Sequence, residues 1–169
     1  MPEKETLERT QEDLREGKSP STAAGEFVHE EIEHVREGKH GVRSPQQAVA
    51  IGLSKARRAG IPLPPPKRGK AKEETRKSAE RDNQKGQSGE GHKPSRRASQ
   101  AREEVLAREP RSTVSHKSLS NQSRSAAQWR SSEERHLSAK RAVQTKGKEG
   151  LRSAAKKGAR TRAHRRDDA

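Results

Sequence analysis

The chain of 169 residues carries 39 Lys and Arg against 24 Asp and Glu, a formal net charge of +15, with 24% hydrophobic residues and no Cys. Twenty of the hydrophobic residues are Ala, leaving 21 larger apolar side chains, too few at ~1.5–3 kcal/mol each to offset ~1–2 kcal/mol of backbone entropy per residue along the whole chain. The composition excludes a disulfide framework and a thiol nucleophile, argues against one globular domain spanning every residue, and, with no run of ~18 apolar residues, predicts no membrane span.

Apolar residues and charge divide the chain at the same place. Thirteen of the 21 large apolar residues lie in the first 63 positions. Residues 1–60 hold 10 basic and 11 acidic side chains, whereas residues 61–169 hold 29 and 13. Low hydrophobicity with high net charge is the composition of disorder. The expected architecture is therefore mostly α in a short N-terminal helical segment, with the remainder intrinsically disordered and carrying transient helices. The boundaries are a helical segment over 1–61 (core helices about 20–37 and 45–59), a proline-rich spacer over 62–68, and a basic, low-complexity tail over 69–169. Residues 1–10 are acidic and polar with no apolar stretch of a targeting peptide, so the expected location is the cytoplasm, in association with the nucleoid in a bacterium.

In chain order, a first weak helix is expected over residues 3–16, with Leu7 and Leu14 as its apolar stripe and Gly17 as its stop. A second runs from Pro20 to Glu37. Ser19 is its N-cap, Pro20 takes the first helical position, and Gly38 ends it in a left-handed conformation. Phe27, Val28, Ile32 and Val35 fall on one face. In the third helix Ser44-Pro45-Gln46-Gln47 reads as a capping box. Its stripe of Ala48, Val49, Gly52, Leu53 and Ala56 is small enough for close approach to the second helix. Gly60, Ile61 and Pro62 terminate it. Arg15-Glu16-Gly17-Lys18 recurs as Arg36-Glu37-Gly38-Lys39, a repeated helix stop whose functional reading is a phosphate held at the following helix N-terminus. Two helices of this size bury little, so a homodimer through Phe27, Ile32, Val49 and Leu53 is a candidate partner arrangement.

The tail opens with Pro64-Pro65-Pro66-Lys67-Arg68, a polyproline spacer. Residues 82–91 contain no large apolar side chain and read as flexible. Transient helices are expected over 95–109, 123–143 and 151–163, the second with an internal capping box at Ser131-Ser132-Glu133-Glu134. Lys140-Arg141 and Lys156-Lys157, with Thr145-Lys146 and Thr161-Arg162, form a degenerate repeat at an offset of 16 residues.

The stretch from Arg36-Glu37-Gly38-Lys39-His40-Gly41 through Ser44-Pro45-Gln46-Gln47-Ala48-Val49-Ala50-Ile51-Gly52-Leu53 to Ala56-Arg57-Arg58-Ala59-Gly60 resembles a small uncharacterised bacterial family. That family's core reads roughly G-K-H-G-x-x-S-x-x-Q-A-I-A-I-G-L-S-x-A-R-x-A-G. The resemblance spans residues 10–70 and implies a domain of unknown function, with no activity to carry over. Ser153-Ala154-Ala155-Lys156-Lys157 loosely resembles the Lys/Ala-rich tails of histone H1-like bacterial proteins.

No catalytic residue and no cofactor are assigned: G-x-S-x-G, P-loop and G-x-G-x-x-G patterns are absent. Glu30 with His34, and His29 with Glu33, stand four apart on the second helix, and His40 lies beyond it. Pairs fall short of the four ligands of a closed site, so the reading assigns no metal. The leading function is non-sequence-specific binding of nucleic acid, duplex DNA foremost, because two aromatics, Phe27 and Trp129, make no stacking platform for single strands. The candidate contacts in the tail are Lys140, Arg141, Lys146, Lys148, Arg152, Lys156, Lys157, Arg160, Arg162, Arg165 and Arg166. In the helical segment they are Lys39, Arg43, Lys55, Arg57 and Arg58. The competing readings are a hydrophilin-like stress protein and a protein-interaction module with a basic tether. Neither a membrane nor a small-molecule substrate is implied.

Overall fold

The computed structural model describes residues 2–89 and 96–167. Among the described residues every element is helical. The elements are α1 (Lys4–Arg15), α2 (Pro20–Glu37), α3 (Pro45–Arg58), α4 (Glu73–Gln87), α5 (Arg96–Ala107), a 3-10 turn (Ser112–Val114), α6 (His116–Gln128) and α7 (Ser132–Asp167). They form two compact units, Met1–Ser123 and Arg124–Ala169, the junction falling within α6.

Local chemistry sets the helix ends. Ser19 Oγ accepts the Thr22 N–H at 3.3 Å at the start of α2, and Ser44 Oγ accepts the Gln47 N–H at 3.2 Å at the start of α3. Gln47 reaches back to the Arg43 N–H, not to that of Ser44. Gly38 adopts φ 84°, and the following Lys39 N–H returns to the His34 carbonyl at 2.9 Å, the closure expected of a left-handed helix end.

In the first unit α2 lies between α1 and α3, and α3 in turn packs on α4. The α2–α3 crossing is close enough that a Cβ on Gly52 would stand 2.7 Å from Val28 Cα and 2.9 Å from the Phe27 carbonyl oxygen. Two apolar clusters result. One gathers Ala24, Phe27, Ala56, Ile61 and Leu63 with Leu53; the other gathers Val35, Val42, Ala48 and Val114 with Ile32 and Ile51. Phe27 is fully buried in the first cluster, so the face bearing Phe27, Ile32 and Leu53 is packed within the chain. Ile61 and Leu63 join it, and the buried Arg57 donates to the carbonyls of Leu63 and Pro64, tying the proline segment to α3.

The expectation of disorder after a short helical segment is overturned. α4 occupies most of the stretch expected to be flexible; Glu90 and Gly91 lie outside the described residues. Val114 is 1% exposed within a core cluster, more than 60 residues in sequence from the rest of that cluster. The chain before it is strapped to the loop after α2: the Gly41 N–H donates to the Leu106 carbonyl, the Val42 N–H to Pro110, and the Thr113 hydroxyl to Val42. The physical reason is that these contacts need no wide apolar face. Two glycines let backbones touch, Gly41 against the Glu109 carbonyl and Gly86 against the Arg57 carbonyl. Main-chain bonds then supply the attachment. Further along, Ala, Lys, Arg, Gln and Glu are strong helix formers, and α7 begins with reciprocal bonds at 3.1 Å between Ser131 and Glu134.

α1 differs in its buried face. Leu7 and Leu14 are each 37% exposed, while Thr6 and Thr10 are buried. The Thr10 hydroxyl donates to the Thr6 carbonyl at 2.6 Å, which removes the penalty of burying it.

Three alanine substitutions separate these roles. A Cβ on Gly25, in α2, would meet no atom within 4 Å, so Gly25→Ala stabilises by about 0.5–1 kcal/mol through reduced chain entropy. Gly52→Ala and Gly41→Ala force backbones apart and cost about 1–3 kcal/mol each. Urea unfolding followed by circular dichroism measures all three.

Candidate nucleic-acid interface

The cations that the sequence singles out fall into three settings. The first is α7, where 12 basic side chains stand against four acidic ones. Lys140, Arg141, Lys146, Lys148, Arg152, Lys156, Lys157, Arg160 and Arg162 are all exposed, and Arg165 and Arg166 belong to its last turn. Lys148, Arg152, Lys156 and Arg160 follow one another at four-residue steps, which places a cation about every 6 Å along one ridge of a helix. Gly147, with φ 64° and ψ 175°, interrupts the helix and divides it into two segments. The repeat has a structural counterpart: Thr145 and Thr161 each donate a hydroxyl back to the carbonyl four residues earlier, at 2.9 and 3.0 Å.

The second setting is a cavity of about 310 Å³ in the first unit, lined by Ser54, Arg58, Ser78, Arg81, Asp82, Lys85 and Arg102. α3, α4 and α5 supply these residues, four cations against one carboxylate. Arg58 Nη2 donates to Ser54 Oγ at 3.0 Å, and Arg58 Nε lies 3.7 Å from Asp82 Oδ1. Arg81 Nη2 donates to Ser78 Oγ at 3.1 Å. The Ser54 hydroxyl donates to Asp82, so the guanidinium and ammonium groups are what the open basin offers to a phosphate oxygen. Of its cations the sequence singles out Arg58 alone. Arg81, Lys85 and Arg102 sit in a stretch whose composition is that of a flexible tail, and nothing local marks them.

The third setting holds the cations that turn to protein partners. Lys39 pairs with Glu3 and Glu37, which raises its pKa through the Glu3 hydrogen bond first. Glu3 in turn is held down to about 2 by hydrogen bonds from His34 and then Lys39. Arg43 is exposed and meets Glu109 at 3.3 Å. Burial lowers the pKa of Arg57, with the Asp82 charge opposing it.

Lys55 Nζ reaches Glu31 Oε2 at 2.7 Å and Glu30 Oε1 at 3.4 Å, and both carboxylates are almost fully buried. Burial alone would push Glu30 up, but hydrogen bonds from the Thr6 hydroxyl and the Glu3 amide, with Lys55 beside it, bring it below its ordinary value. Removing Lys55 leaves buried negative charge uncompensated. Lys55→Ala should therefore cost about 3–5 kcal/mol, whereas Lys39→Ala, at a half-exposed pair, costs at most about 1 kcal/mol. Chemical denaturation of the two variants reads the difference.

Comparison with known proteins covers the first part of this arrangement. No curated protein and no solved structure matches the chain. Residues 15–68, which run from the end of α1 through α2, α3 and the proline segment, match the model of a family described as a family of unknown function, DUF6496.

Proposed function

We propose that the protein binds duplex nucleic acid through its phosphate backbone, without reading sequence, in a binding rather than a catalytic role. The observation that carries this reading is the exposed cationic ridge of α7 at Lys148, Arg152, Lys156 and Arg160. A rigid helix that presents a cation every ~6 Å can neutralise successive phosphates without a dedicated pocket. The basin around Arg58, Arg81 and Lys85 offers a second place for a phosphate. Recognition of single strands has no support in the aromatic inventory: Phe27 is fully buried and Trp129 is a single exposed ring, so no platform for stacking successive bases exists among the described residues. The loose likeness of Ser153–Lys157 to histone H1-like tails agrees with backbone contact.

The test is fluorescence anisotropy with three unrelated duplexes at several salt concentrations. With roughly 6–10 phosphates engaged, affinity falls ~10³–10⁵-fold between 50 and 200 mM salt, alike for all three duplexes. Replacing Lys148, Arg152, Lys156 and Arg160 together by Gln should flatten the log–log salt slope by about 3–4, at ~0.9 per contact. Arg81→Gln with Lys85→Gln should flatten it by no more than about 2. Unchanged binding by the fourfold α7 variant would move the contact surface to the first unit. Absence of binding at 50 mM salt by the full chain would end the nucleic-acid reading.

A further inference from the structure

The buried end of α2 holds an arrangement that phosphate binding does not use. Glu31 and His34 are three apart in α2 and so share a face. His40 is returned toward them by the left-handed turn at Gly38. One carboxylate oxygen of Glu31 and one ring nitrogen from each histidine lie within 4.8 Å of one another. The two rings meet edge to face, centroids 6.3 Å apart.

Glu31 is fully buried, and neither of its oxygens has a hydrogen bond of acceptable geometry. Oε2 is offset by the Lys55 ammonium at 2.7 Å, whereas Oε1 faces His40 Nε2 at 3.2 Å. The other nitrogen of His40 is committed: the Gly41 carbonyl can only accept, so Nδ1–H donates to it at 3.1 Å. His40 Nε2 is thus the nitrogen that faces Glu31 Oε1, and a ring nitrogen of His34 converges on the same place. Three donor atoms from three side chains can meet one cation there. Glu30 and Glu31 share one ammonium, that of Lys55, which reaches Glu31 through Oε2 and leaves Oε1 to the histidines.

We infer that Glu31, His34 and His40 form a binding site for a divalent transition-metal ion of the zinc class. Two imidazoles and one carboxylate are a ligand set such ions take with a position left open. The 3.2 Å separation of Oε1 and Nε2 corresponds to an angle of about 100° at an ion ~2.1 Å from each. The backbone carbonyl on His40 Nδ1, and Glu3 Oε1 at 2.9 Å from His34 Nε2, are the outer partners that fix ligating imidazoles. Helical spacing in the sequence pairs His34 with Glu30, four residues away. The functional pair is Glu31 at three, and the missing third member is supplied by a glycine-made reversal.

The experiment uses the full chain after treatment with a chelator. Zn²⁺ is titrated by calorimetry, and Co²⁺ is followed by its visible d–d absorption, which is intense only in low-symmetry four- or five-coordinate sites. The expected result is one equivalent bound, intense cobalt bands displaced by Zn²⁺, and a melting temperature that rises with Zn²⁺. Glu31→Gln, close to isosteric, and His40→Ala should each weaken binding by more than about 100-fold, beyond the usual loss for outer partners. His29→Ala, an exposed position on the same helix, should leave it unchanged. No heat and no cobalt bands from the folded full chain would overturn the site. So would binding that survives both Glu31→Gln and His40→Ala, or that His29→Ala abolishes.

Discussion

The first unit depends on the closeness of α2 and α3 at Gly52. With no side chain there, the α3 backbone comes to rest on Val28 and the Phe27 carbonyl. The two apolar clusters lie on either side of that contact, Phe27 with Ala56 and Leu53 toward one end, Val35 with Ala48 and Ile51 toward the other. The same approach brings Lys55, one turn beyond Gly52, within reach of Glu30 and Glu31. A wider crossing would leave two carboxylates in a dry interior without a counter-charge, a state far costlier than a few lost van der Waals contacts. The contact thus places both the hydrophobic core and the charges buried in it.

Those charges make the end of α2 the meeting point of the unit. Glu3 on the approach to α1, Glu30 and His34 on α2, Lys39 and His40 in the following loop and Lys55 on α3 are joined by hydrogen bonds and ion pairs. The same loop receives the strap from residues 106–114. This explains the buried threonines of α1. Thr6 and Thr10 face α2 because a hydroxyl can serve Glu30 or a nearby carbonyl, whereas Leu7 and Leu14 have no apolar surface there to cover.

What can be read in the sequence is whatever is local. Ser19, Gly38, Ser44 and the Ser131–Glu134 pair act within a few residues, so their identity carries their role. Periodicity marks Phe27, Val35, Ala48 and Ala56 for the same reason. The order of residues 73–87 and 96–114 is not legible, because their attachments join positions more than 20 and up to about 80 residues apart, and many of them run through backbone groups that every residue possesses. Counting apolar side chains misses an interaction whose essential parts are two missing ones, at Gly41 and Gly86. The buried cluster is half legible: helical spacing offers partners for His34 at both three and four residues, and only the fold chooses Glu31. Lys55 and Arg57 cannot be told from Arg58 by composition, since burial distinguishes them and charge does not.

Gly147 gives the second unit a proportion that its sequence composition does not suggest. The backbone there lies in a region that, among the standard residues, is essentially glycine's own. An unbroken helix of 36 residues would be a rod about 54 Å long. Divided at Gly147, it becomes two lengths of about 22 and 30 Å, each shorter than the ~34 Å over which a DNA groove completes one turn. A straight rod diverges from a winding groove over that distance; two shorter ones, meeting at an angle, can each follow it locally. On the binding proposed above, one residue without a side chain would match the length of a protein helix to the pitch of a nucleic-acid one.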